Sequence, residues 1–178
     1  MGLRLLRLGD VPALAEFTCG DVDLDEFLRE DAWAYHEEMF AQTWIWEEDQ
    51  LVVGYVSMVN DRIATDNLDS TKRDSIRLCR EELGKNPMSS GQIPAVKLAR
   101  LAINSRFKGQ GRGSALVVEM AALFASRENR TGCRLMTVDA YLSALAFYEK
   151  LGFRPQAVKL KPGSETIPMV IDLKRFRT

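Results

Sequence analysis

Two periods of apolar residues alternate along this 178-residue chain. Leu3 to Leu8 is a short apolar run stopped by Gly9-Asp10, the pattern of a first strand. Leu24, Phe27, Leu28, Ala32 and Tyr35 then fall on one stripe at helical spacing. With Asp21 or Asp23 as N-cap, this stripe predicts a helix running to about Met39. Thr43 to Glu48 and Leu51 to Asn60 are rich in Trp, Ile, Val and Tyr with almost nothing between them, which predicts a β-hairpin. The stretch from Asp61 to Gln92 is polar, with a candidate helix near Ser70 to Leu83 stopped by Gly84. Val96 to Ile103 reads as a strand, followed by a glycine-rich loop and a long apolar-periodic helix from Ser114 to about Glu128. Arg134 to Ala140 reads as a buried strand, Ser143 to Lys150 as a short helix ended by Gly152, and Thr166 to Leu173 as a last strand. Strands alternating with helices predict an α/β fold, a mixed sheet in one domain over 1–178, with an elaborated insert at about 61–95.

Composition narrows the class. The chain is 46% hydrophobic and 28% charged, enough apolar residue to build a core. No apolar run approaches the ~20 residues a membrane helix needs, and Met1 to Arg7 lacks a signal-like segment, so no membrane association and a cytoplasmic location are expected. Three dispersed cysteines and one histidine argue against a disulfide framework or a zinc site. The net charge of −1 conceals a split: residues 1–60 hold 13 acidic against 3 basic side chains (−10), and residues 61–178 hold 12 against 21 (+9). An anionic ligand therefore belongs with the C-terminal two-thirds.

The most informative stretch is Lys108-Gly109-Gln110-Gly111-Arg112-Gly113-Ser114, between a strand and an apolar helix. Glycines let successive backbone N–H groups converge, and the helix N-terminus adds positive potential, a combination suited to a phosphate or pyrophosphate. A Walker A loop needs Gly-Lys-Ser/Thr, and here Lys108 precedes the glycines. The Rossmann spacing Gly-x-Gly-x-x-Gly is not met either.

Together with Ala144-Leu145-Ala146-Phe147-Tyr148-Glu149-Lys150-Leu151-Gly152-Phe153, this loop resembles the GCN5-related N-acetyltransferase (GNAT) family. That family's signature, Arg/Gln-x-x-Gly-x-Gly/Ala, fits residues 108–113 with Lys108 in the first place; a second register starts at Arg106. Where many relatives carry Asn or Asp at the entry to the last helix, Tyr141, Leu142 and Ser143 stand here. The resemblance implies acetyl-CoA as cofactor. It places the pantetheine arm along backbone groups of Leu101, Ala102 and Ile103, and the pyrophosphate on Lys108, Gly109, Gln110, Gly111, Arg112, Gly113 and Ser114. An amide near Leu101 or Ala102 would stabilise the oxyanion. Tyr148 is the expected catalytic acid toward the leaving thiolate, although a tyrosine in Phe-Tyr-Glu can also simply pack. The strand position that holds a Glu base in many relatives falls near Arg100, leaving Glu47 or Glu48 acting through water. A lysine acceptor (pKa about 10.4) needs a base, whereas an α-amine (about 7.7–8.0) does not.

A narrower resemblance is to the toxin acetyltransferases of type II toxin–antitoxin systems, which acetylate aminoacyl-tRNA and pair with a ribbon-helix-helix antitoxin. It rests on Phe17-Thr18-Cys19-Gly20 with Leu24-Asp25-Glu26-Phe27-Leu28, on Gly54-Tyr55-Val56, and on Ile93 to Ala102. It implies Arg100 and Arg106 as substrate-binding residues, with Lys108, Arg130, Arg134, Lys159 and Lys161 as further tRNA contacts, and a homodimer. Lys72, Arg73, Arg77 and Arg80 in the insert would form a partner or dimer surface, or a lid. Two alternatives stay open on sequence: a GNAT enzyme acting on a small amine, peptide or protein, and a non-catalytic acyl-CoA-binding module.

Overall fold

A computed structural model describes residues 2–10, 14–49, 51–68, 91–128 and 131–177. These residues form seven strands: β1 (Gly2–Leu5), β2 (Gln42–Glu48), β3 (Leu51–Ala64), β4 (Gln92–Ile103), β5 (Leu135–Tyr141), β6 (Arg154–Pro155) and β7 (Thr166–Asp172). The helices are α1 (Val22–Glu26), α2 (Ala32–Glu37), α3 (Arg112–Ala125) and α4 (Leu145–Lys150). The fold is mixed α/β, and the ladders β1/β2, β2/β3, β5/β7 and β6/β7 are all antiparallel. The chain divides into two compact units, residues 1–60 with 98–120, and residues 61–97 with 121–178.

The first unit carries the strand order β1-β2-β3-β4. Its core is Leu6, Leu14, Phe17, Phe27, Leu28, Ile45, Tyr55 and Ala102, all buried. The predicted helix after Asp21 is present, and Asp21 caps it by accepting from Leu24 N at 3.3 Å. A π-helical turn over Phe27–Asp31 joins α1 to α2, a single-turn irregularity of the kind found at functional sites. The hairpin register contains a bulge: Trp46 faces Gly54 but Glu47 faces Val52, so Val53 is the extra residue. Two expectations need correction. The first strand ends at Leu5, because Asp10 accepts from Arg7 N at 2.7 Å and turns the chain through a 3-10 turn over Leu8–Asp10. The long helix begins at Arg112, so Gly113 lies in its first turn.

The second unit carries β4-β5-β7-β6. β5 and β7 are in register from Leu135↔Asp172 to Tyr141↔Thr166. Ile63, Leu68, Ile93, Ala95, Leu135 and Val170 form its buried cluster. Residues 61–64 and 92–95, expected in the insert, extend β3 and β4; Thr137 Oγ1 donates to Asp61 Oδ2 at 2.6 Å inside this unit. β6 is too short to show a period and was not anticipated. The helix expected near Ser70 to Leu83, and with it Lys72, Arg73, Arg77 and Arg80, falls outside the described residues, as does Arg130.

Candidate active site

In the first unit β4 delivers the chain into the glycine loop. Ala102 is buried, whereas Leu101 and Ile103 are half-buried. β3 passes unusually close here: a Cβ on Gly54 would sit 2.6 Å from Ile103 Cδ1 and 2.7 Å from the Ala102 carbonyl oxygen. Gly54 is therefore required by backbone proximity.

Asn104 ends the strand and organises the turn. Its N–H donates to Val53 O at 2.9 Å, the carbonyl of the bulge residue, and its amide donates to Val52 O at 3.3 Å. Its Oδ1 accepts from Arg106 N at 3.1 Å and starts the 3-10 turn Ser105–Phe107. Ser105 N donates to Thr18 O at 2.9 Å. Thr18 is held in turn by Asp25, whose carboxylate accepts from Thr18 Oγ1 and from Cys19 N, both at 2.7 Å. Asp25 is 6% exposed; burial opposes its charge, but these donors outweigh it and keep the carboxyl below its ordinary range. Burial, and then Asp25, push the Cys19 thiol up to about 11, so it is no nucleophile at neutral pH.

The loop itself is exposed. Gly109 and Gly111 have φ of +76° and +75°, and a Cβ on either would meet nothing within 4 Å. Arg106, Lys108 and Gln110 are exposed, and Gln110 Nε2 donates back to Arg106 O at 3.2 Å. Gly111 O accepts the Ala115 N–H at 3.0 Å, while Gly113 and Ser114 are half-buried in the first turn of α3. An open left-handed glycine pair beside exposed cations and a helix N-terminus fits an anionic cofactor tail. Arg112 departs from that picture. Its guanidinium donates to Glu48 Oε1 at 2.5 Å and lies 5.2 Å from the Trp46 ring centroid, so its charge is largely compensated.

The two hairpin carboxylates are committed. Glu48 holds Arg112, and Glu47 holds Arg4 at 2.8 Å. Arg100 stacks over the Phe27 ring at 4.2 Å, and its buried Nε has no hydrogen-bond partner among the described residues. Arg100 and the loop both lie in the first unit, and the sequence did not point to Asn104, Asp25 or the Arg112–Glu48 pair. An Asn directly after a strand and before a 3-10 turn was the one available signal for Asn104.

In the second unit Tyr148 lies on α4 and is 7% exposed. Phe147 and Phe153 pack edge-on against its ring at 4.9 and 5.5 Å. Burial pushes its phenol up to about 12. The helix closes behind it through Phe153 N donating to Tyr148 O at 3.0 Å, with Gly152 at φ +93°. Of the other candidate RNA contacts in this unit, Lys159 and Lys161 are exposed, whereas Arg134 is bound to Asp172 at 2.8 Å.

Known proteins are similar to this chain in sequence and in fold. The tRNA-acetylating toxin of Mycobacterium tuberculosis is 24% identical over 148 residues, 83% of this chain and 81% of its own. AtaT complexed with acetyl-methionyl-tRNAfMet superposes with a TM-score of 0.74 at 23% identity, covering 98% of this chain and 95% of that one. A mutant of KacT gives 0.74 at 21% identity over 99% and 98%, and AtaT with AtaR bound to DNA gives 0.70 at 24% over 99% and 97%. Residues 40–155 match the family model of the acetyltransferase (GNAT) domain, and the chain belongs to that family of acetyltransferases.

Proposed function

We propose that this N-acetyltransferase acetylates the α-amine of aminoacyl-tRNA with acetyl-CoA and so arrests translation. The observation that carries the reading is that none of the three positions expected to supply a base offers a free carboxylate. Arg100 occupies the strand position, and Glu47 and Glu48 are both in ion pairs. An acceptor must then lose its proton without help, which an α-amine does near pH 7.7–8.0 and a lysine does not. The likeness to a tRNA-acetylating toxin supports the same acceptor.

Bound acetyl-CoA supplies an activated acetyl group. Gly109 and Gly111 turn the loop so that backbone N–H groups and the Lys108 ammonium would receive its pyrophosphate, and backbone groups of Leu101, Ala102 and Ile103 would receive its amide arm. Arg100, held flat on Phe27 with an unsatisfied Nε donor, and exposed Arg106 receive acceptor oxygens. Tyr148 Oη keeps its proton at neutral pH and would be the donor for the sulfur that leaves. A phenol near 12 is roughly three units less acidic than an ordinary thiol, so complete transfer costs about 4–5 kcal/mol. The phenol therefore acts mainly as a hydrogen-bond donor to the thiolate.

The protein works in the cytoplasm as a single domain, as a homodimer that joins two basic surfaces, and its acidic front (net −10 over residues 1–60) docks the basic tail of a ribbon-helix-helix antitoxin. Transfer of labelled acetyl from acetyl-CoA to charged tRNA, with translation in vitro stopped only when enzyme and acetyl-CoA are both present, is the expected result. Labelling of a small amine with charged tRNA untouched would replace this acceptor.

A further inference from the structure

At the end of β5 remote from α4, the second unit contains a pocket of about 340 Å³ lined by Phe124 and Leu173 among others. Its walls carry Arg127, Arg134, Lys174 and Arg177, with no Asp or Glu among the described lining residues. Arg127 follows α3, Arg134 precedes β5, and Lys174 and Arg177 follow β7, so three distant segments converge to concentrate the charge. Asp172 lies behind the wall, bonded to the lining residues Arg134 and Lys174. It is already engaged, accepting from Arg134 Nε and Nη2 and from Lys174 N, each at 2.8 Å. The carboxyl end of α3 adds about half a negative charge. Roughly two and a half positive charges remain, on the exposed side chains Arg127, Lys174 and Arg177.

Such a surplus attracts a polyanion. Arginines present forks that match phosphate oxygens, and unpaired cations held together repel one another until an anion arrives. The spacing identifies which polyanion. β5 has seven residues, so its two ends lie about 20 Å apart, and Tyr141 at the far end leads directly through Leu142–Ala144 into α4 and Tyr148. A small amine at the tyrosine end cannot reach the pocket, whereas the stem of an RNA whose 3′ end lies there extends beyond about 20 Å.

We propose that the pocket walled by Arg127, Arg134, Lys174 and Arg177 holds backbone phosphates of the RNA acceptor, at the opposite end of β5 from the helix bearing Tyr148. This rests on the aminoacyl-tRNA reading above. It adds a site with no chemistry of its own, setting RNA affinity and salt dependence and leaving the transfer step untouched. Each phosphate neutralised releases condensed counterions, which steepens the salt dependence.

The test is the full-length triple variant Arg127→Gln, Lys174→Gln, Arg177→Gln, with Arg134 kept because its pair with Asp172 supports the fold. Uncharged tRNA is titrated by fluorescence anisotropy between 50 and 300 mM salt, and acetylation of charged tRNA and of an aminoacyl ester without RNA is followed in parallel. The expected result is weaker tRNA binding by about tenfold or more, and a log–log salt slope lower by about 2–3. KM for charged tRNA rises with kcat unchanged, and the ester is unaffected. Wild-type affinity and slope in the variant would overturn the proposal, as would wild-type protein that binds poly-glutamate and not tRNA, which reassigns the pocket to an acidic protein segment. Failure of the acceptor reading looks different: wild-type protein then binds tRNA with the expected slope and leaves its amine unacetylated.

Discussion

Glu48 at the end of β2 and Arg112 in the first turn of α3 are 64 residues apart in sequence and 2.5 Å apart in space. With Glu48 19% and Arg112 27% exposed, they form a partly buried pair that ties the hairpin to the helix following the glycine loop. Arg112 thereby contributes more to placing the loop than to attracting phosphate. Arg112→Gln is expected to lower stability by about 1 kcal/mol, the upper part of the range for such pairs, and to change acetyl-CoA affinity less than Lys108→Gln. Thermal unfolding and calorimetry on the two variants check the order; a larger affinity loss at Arg112 would return it to the phosphate site.

Gly54 and Gly111 are required for different reasons, and their substitutions separate accordingly. At Gly54 the space is missing, since a Cβ would collide with Ala102 and Ile103. Gly54→Ala is expected to cost about 1–3 kcal/mol as an overpacking change, and to weaken acetyl-CoA by displacing β4. At Gly111 the space is open and only the backbone angle resists, about 1–2 kcal/mol for an L-residue. Gly111→Val should remain folded and lose acetyl-CoA binding. Unchanged affinity in folded Gly111→Val would remove the loop from the cofactor site.

The hairpin, the glycine loop and the helix of Tyr148 were legible because each is written in consecutive residues: alternation, a run of glycines, a 3.6-residue period ended by Gly152. What escaped is written across the chain. Glu48 and Arg112, Asp25 and Ser105's neighbour Thr18, and the four cations of the basic pocket meet only once the strands have paired. The register of such pairings depends on a bulge at Val53 that no local pattern announces. Element ends shifted for the same reason: β1 stops where Asp10 captures Arg7 N, and β6 exists only as two residues laid against β7.

Asp25 explains why Phe17-Thr18-Cys19-Gly20 and Leu24 to Leu28 occur together. A buried carboxylate binds Thr18 and Cys19, and Thr18 O receives Ser105 N from the turn before the glycine loop. Asp25→Ala strands two donors and is expected to destabilise by about 2–3 kcal/mol. Its carboxyl titrates below the ordinary value in the folded state, so its stabilisation is present at neutral pH and fades as pH falls below about 4. Acid unfolding of wild type and Asp25→Asn checks this, with the wild type showing the steeper loss; parallel curves would show that the carboxylate charge is not what holds the loop.

Tyr148→Phe removes one oxygen from a ring that Phe147 and Phe153 already pack on, so the fold and acetyl-CoA affinity should persist. Since the phenol near 12 serves mainly as a hydrogen-bond donor, the loss in kcat should lie toward the lower end of the 10²–10⁴ range for general acids, about 10²-fold. In wild type the rate should rise with deprotonation of the α-amine, below the ordinary value of about 7.7–8.0 because the neighbouring ester withdraws electrons, and then stay level to pH 10, because burial keeps the phenol protonated. The same burial has an alkaline consequence. In the unfolded chain a tyrosine ionises near 10 and in the folded protein near 12, so stability is complete below pH 10 and declines as pH rises toward 12. Two units correspond to about 2–3 kcal/mol. Tyr55, shifted upward as well, is common to both proteins and cancels in the comparison. Wild type should therefore lose stability faster than Tyr148→Phe between pH 10 and 12 in denaturant titrations. Equal alkaline curves together with an unchanged kcat would make Tyr148 a packing residue, and the proton toward the sulfur would have to come from elsewhere.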